Sequence, residues 1–108
     1  MVPITDMCEY LGKAPELPTA FFADNDIIAL GAMKALKQFG YHIPGDISII
    51  GFDDLPYCEV SSPTLTTIKS FQEEMGKLAV NRLVDTIVNG NTKNAKLQIS
   101  TQFIKREV

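Results

Sequence analysis

The 108 residues predict a single α/β domain whose parallel sheet is covered by helices on both faces, a three-layer arrangement. Three observations carry that expectation. Two short apolar runs, T-A-F-F-A at 19–23 and I-S-I-I-G-F at 47–52, flank one clearly periodic helical stretch. The second run is β-branched and apolar on both faces, as in a strand buried from both sides. Strand, helix and strand together occupy roughly thirty residues, the size of a βαβ unit with parallel strands.

Taken in order, Ile4, Met7, Cys8 and Leu11 recur at helical spacing and predict an amphipathic helix over 4–13, which Pro15 and Pro18 terminate. The strand at 19–23 follows. Asp24 or Asn25 then caps a helix over 26–39, with Ile28, Ala32, Ala35, Leu36 and Phe39 on one stripe and Gly40 at the left-handed C-terminal position. Asp26, in the first turn, complements the helix dipole. A turn at Pro44-Gly45 leads to the strand at 47–52.

Residues 53–65 read as a polar, proline-containing connection, and T-L-T-T-I-K at 64–69 as a short extended segment. Ser70 and Glu73 have the spacing of a capping box ahead of a helix over 71–89, with Phe71, Met75, Leu78, Ala79, Leu83 and Ile87 on its apolar face. The tail predicts two short strands, around A-K-L-Q-I at 95–99 and T-Q-F-I-K-R at 101–106.

Composition narrows the function. Ten basic against thirteen acidic residues, a net charge of −3, and no basic run argue against a large nucleic-acid footprint within these residues. No apolar stretch reaches the roughly 18 residues that span a bilayer, and the start M-V-P-I-T-D lacks a secretory layout, so a soluble, unexported, cytoplasmic chain without a membrane role is expected. Cys8 and Cys58 are expected to be reduced thiols, and His42, in G-Y-H-I-P-G, a loop residue.

Both central strands end in polar clusters, A-D-N-D at 23–26 and G-F-D-D at 51–54. If the strands are parallel, both clusters emerge at the carboxyl edge, where open α/β sheets bind ligands, on strands about 4.8 Å apart. Asn25 and Asp53 can then converge on one small molecule. An ionised Asp accepts hydrogen bonds and an Asn both donates and accepts, which suits vicinal hydroxyls without a metal or cofactor. Phe22 and Phe52 can stack on a ligand face or belong to the core, and Asn25 can be a cap rather than a contact. Asp53-Asp54 can equally be a loop-initiating pair. An enzyme using Asp53 and Asp54 as an acid–base or metal pair is disfavoured: adjacent residues in an extended segment point apart, no ligand cluster completes a coordination sphere, and no nucleophile motif appears.

The blocks P-T-A-F-F-A-D-N-D-I-I-A-L-G-A-M-K-A-L, I-P-G-D-I-S-I-I-G-F-D-D-L, P-T-L-T-T-I-K and E-E-M-G-K-L-A, in this order and spacing, closely resemble the carboxyl-terminal part of the LacI/GalR family of bacterial transcriptional regulators. The resemblance covers residues 18–108; the first seventeen match only weakly. It implies a Rossmann-like lobe of a two-lobed, periplasmic-binding-protein-like effector domain, with a sugar or nucleoside-like effector held between the lobes. Asn25 and Asp53 occupy the positions that commonly contact it. It also implies that 1–69 and about 100–108 form the second lobe, that about 70–99 belongs to the first, that operator DNA is bound only through an amino-terminal domain outside these residues, and that the regulator is a homodimer. On this reading the chain is a fragment, and the 71–89 helix must cover its apolar face on the chain's own sheet or in another copy. Ser70-Phe71 stands where the family often has Gln followed by Pro. A freestanding or periplasmic sugar-binding protein of the same fold is the alternative.

Overall fold

The computed structural model describes residues 3–108, and the elements run α1 (Pro3–Gly12), β1 (Ala20–Phe22), α2 (Asp26–Gln38), β2 (Ser48–Ile50), α3 (Tyr57–Val60), β3 (Thr67–Lys69), α4 (Gln72–Asn89) and β4 (Gln102–Ile104). They form two compact units, one reaching to Lys69 and including Gln102–Val108, the other Ser70–Thr101.

In the first unit, β1 and β2 pair in parallel, with Ala20 opposite Ser48, Phe21 opposite Ile49 and Phe22 opposite Ile50. The ladder continues past both ends through Ser48 N–H to Thr19 O and Ala23 N–H to Ile50 O, each 2.9 Å. Helix α2 is the crossover between them, as the periodicity predicts. Beyond β2, Gly51 N–H donates to Thr66 O and Asp53 N–H to Ile68 O, and a parallel bridge joins Asp53 to Lys69. β3 therefore continues the sheet on the far side of β2, and β4 closes it antiparallel to β3, Ile68 facing Phe103.

The core has two adjoining parts. Ala29 and Met33 of α2 meet Ile49, Cys58 and Leu65, while Ala35 and Leu36 meet Leu11 of α1 and Ile47. Helix α1 can lie against α2 because residue 31 is glycine: a Cβ there would stand 2.5 Å from Pro3 Cβ. Packing on two sides buries more of α2 than one stripe, and Phe39, expected on that stripe, is 45% exposed because the helix has ended. Its end is a Schellman motif. Gly40, at φ +86°, donates to Lys37 O, and Tyr41 N–H reaches back to Leu36 O.

Three expectations are corrected. The connection at 53–65 contains the one-turn helix α3, which carries the buried Cys58 inward. The capping box at Ser70 does not form: Phe71 is the N-cap, so Glu73 falls at the second helical position rather than the third, and the buried Ser70 hydroxyl has no hydrogen-bond partner among the described residues. Residues 95–99 are not a strand; they form no strand ladder among the described residues, and Leu97 is 56% exposed.

The second unit is α4 and the segment after it. Glu73 and Glu74 sit in the favourable first turn, and Gly90 at φ +67° ends the helix. Asp85 accepts from the side chains of Asn89 and Asn91, which together with Arg82 hold its carboxyl below the usual range. No residue of α4 is buried, and Leu83, Ile87 and Val88 are among its exposed apolar side chains.

Candidate functional site

The parallel register brings the ends of β1 and β2 to one edge. Asn25 stands there as the N-cap of α2, with extended backbone, and its Oδ1 accepts from Ile28 N–H at 2.9 Å. The cap is thus Asn25 rather than Asp24. Capping uses only the amide oxygen and leaves the chemistry of the NH2 group for another partner. Phe22, the last residue of β1, is 63% exposed, so it is not core; Phe52, after β2, is half-buried.

Asp53, half-buried, follows Phe52 in a turn that is not extended. Its φ is +118°, and that of Asp54 is +61°. Side-chain-bearing residues in this region cost on the order of 1–3 kcal/mol each, so the turn must be held by its surroundings. The expectation that Asp53 and Asp54 point apart because the segment is extended is therefore replaced by a different reason for their separate roles. Asp54 is committed to an ion pair with Arg106 Nη2 at 2.6 Å, both side chains largely buried. Arg106 also donates from Nη1 to Leu65 O. Burial acts to lower the Arg106 pKa, but the hydrogen bond and charge of Asp54 reverse this and leave it above its ordinary value. Among the described residues no group of three or more His, Cys, Asp or Glu side chains could hold a metal ion.

The residue that sequence reasoning assigned a minor part is Asp26. It lies in the first turn of α2, as expected, and is in addition fully buried. Its Oδ2 accepts from Leu55 N–H at 2.7 Å, its Oδ1 from the Thr67 hydroxyl at 2.5 Å, and its own N–H donates to Phe52 O at 3.0 Å. Buried carboxylates are tolerated when their lone pairs are filled in this way. Gly51 makes the approach possible, since a Cβ there would collide with Asp26 Oδ1 and lie 3.1 Å from Leu65 Cδ2. The one available sequence signal was redundancy: two short polar residues precede the helix, only one can cap it, and a third carboxylate follows. Thr67, Gly51 and Arg106 carried no such signal.

Neighbouring Cys58 is a free, buried thiol, and Cys8 a free, half-buried one. Burial first, then hydrogen bonding to and repulsion by Asp26, push the Cys58 thiol up to about 12.

The cap amide and the acidic turn thus lie at the carboxyl ends of parallel strands, the edge at which open α/β sheets take ligands. The sequence model of the periplasmic binding protein-like domain matches residues 3–107, and the chain belongs to that family. Within it, the chain resembles LacI-family repressors. It is 38% identical over 99 residues to the probable HTH-type transcriptional repressor ExuR of Bacillus subtilis (strain 168), covering 92% of this chain and 30% of that protein. Among solved structures, it superposes on the transcriptional regulator CelR in complex with cellobiose with a TM-score of 0.88 at 31% identity, covering 97% of this chain and 32% of that one. For the Lac repressor dimer bound to operator and the anti-inducer ONPF the TM-score is 0.86 at 31% identity, with 96% and 31% covered. The chain thus spans about a third of the length of each.

Proposed function

We propose that this chain is the carboxyl-terminal part of the effector-binding domain of a LacI-type transcriptional regulator, and that Asn25 and Asp53 grip a hydroxylated effector of the sugar or nucleoside class. The observation that carries the reading is the parallel register of Phe22 with Ile50, from which both polar groups follow at the same strand ends. Asp53 accepts from ligand hydroxyls and Asn25 donates to them. The exposed ring of Phe22 offers an apolar face to the carbon side of the effector, and Phe52 flanks Asp53.

Residues 1–69 with about 100–108 make up the second lobe on this reading, and about 70–99 belongs to the first. The exposed apolar face of α4 supports that division, because chain outside these residues would cover it. The protein is cytoplasmic, carries no catalytic residue, and needs neither cofactor nor metal. Operator DNA is contacted by an amino-terminal helix-turn-helix, and the working regulator is a homodimer. Effector closes the two lobes, and its differential affinity for open and closed forms shifts the affinity for DNA.

The test uses the complete regulator. Asp53→Ala is expected to abolish effector-dependent change in operator binding while leaving operator binding itself intact. Undiminished effector affinity in that variant, measured by titration calorimetry, would remove Asp53 from the site.

A further inference from the structure

We propose that Asp26 is the positioning residue of this rim: its buried carboxylate, reaching from the first turn of α2 to Leu55 N–H and the Thr67 hydroxyl, holds the Asp53–Asp54 turn in the conformation that presents Asp53. The inference rests on the effector reading above for its purpose, but its geometry is independent of any ligand.

The four consecutive residues 52–55 that follow β2 are each tied to a partner elsewhere in the chain. Phe52 O accepts from Asp26 N–H, Asp53 N–H donates to Ile68 O at 2.8 Å, Asp54 pairs with Arg106, and Leu55 N–H donates to Asp26 Oδ2. Asp26 therefore binds the turn at both ends, at residue 52 through its backbone and at residue 55 through its side chain. The two residues between are those with φ of +118° and +61°. A strained turn persists only where such contacts over-determine it.

Asp26 is also the residue directly after Asn25. The α2 N-terminus thus fixes one ligand-facing group by capping and the other through Asp26, so the spacing of amide and carboxylate is set before any effector arrives. Preorganisation of this kind removes an ordering cost from binding. Thr67 completes the arrangement. Its hydroxyl occupies the other carboxylate oxygen and comes from the strand that also receives Asp53 N–H through Ile68.

The experiment is amide hydrogen exchange, resolved by residue, on the 108-residue chain. Asp26→Asn keeps the shape, but its NH2 group cannot accept a hydrogen bond. Exchange at Asp53 and Leu55 is expected to quicken about tenfold or more, with Leu36 in the core unchanged. Unchanged rates at Asp53 and Leu55, or a uniform rise that includes Leu36, would overturn the proposal. Should Asp26→Asn fail to fold, the Thr67 pair decides: Thr67→Ser retains the donor and is expected to keep the slow exchange of Leu55, Thr67→Val to lose it. Equal behaviour of the two would count against the assignment. A wild-type chain titrated with cellobiose separates the two ideas, because absent shifts at Asn25 and Asp53 would tell against the effector reading while leaving the exchange result intact.

Discussion

The Thr67 hydroxyl donates a 2.5 Å hydrogen bond to Asp26 Oδ1 across 41 residues of chain, and neither residue is exposed to solvent. The pair joins the start of α2 to the strand beyond β2. Replacing Thr67 with Val preserves side-chain volume and removes the donor, leaving a buried carboxylate one partner short. A loss of about 1–3 kcal/mol is expected, read as a lowered urea midpoint with unchanged slope.

Gly51 is required by the same carboxylate. Gly51→Ala would press a methyl group against Asp26 Oδ1 and to within 3.2 Å of Asp26 Cα, and that backbone cannot rotate away. About 1–3 kcal/mol of destabilisation is expected from this overpacking, measured by thermal unfolding.

The Asp54–Arg106 pair ties the acidic turn to the final residues of the chain. Arg106→Met leaves Asp54, whose side chain is only 16% exposed, without its counter-charge and also frees Leu65 O. Breaking a largely buried pair from one side costs on the order of 3 kcal/mol. Arg106→Lys should recover part of that loss, since it restores the charge without the second nitrogen. Equal melting temperatures for Arg106→Met and wild type would contradict this.

These ties explain what the sequence made legible. Helical periodicity located α1 and α2 to within a residue or two, and the apolar runs located β1 and β2, because spacing and burial pattern are local properties. The polar ends of those two runs, together with the resemblance of four sequence blocks, nominated Asn25 and Asp53 as ligand contacts. What spacing could not express was long-range: that Asp26 turns inward to Thr67, that Asp54 finds Arg106 52 residues later, and that the turn between them has positive φ. The capping-box error at Ser70 and the absent strand at 95–99 share another cause. Both lie in residues 70–101, where no side chain of α4 is buried, and local propensity there was read without the packing that would decide it.

Cys58 gives the chain an alkaline limit. Its folded pKa, about 12, lies above the ordinary thiol value of 9.0. The folded state therefore favours the protonated thiol. That contribution is complete below pH 9 and is lost as pH rises from 9 towards 12, at roughly 1 kcal/mol per unit. Cys58→Ser keeps a small donor that does not ionise there, so its stability should fall less steeply over the same range. In native protein at pH 8, an alkylating reagent should modify the half-buried Cys8 well before Cys58.

Asn25 and Asp53 are proposed to act together on a hydroxylated ligand, and residue-resolved NMR titration of the 108-residue chain with cellobiose and with ribose probes that pairing at the two residues themselves. One lobe alone should bind weakly, with a dissociation constant around the millimolar range. Saturable shifts at Asn25 and Asp53 that vanish in Asp53→Ala are expected; shifts confined to other parts of the chain, or undiminished in that variant, would rule the pairing out.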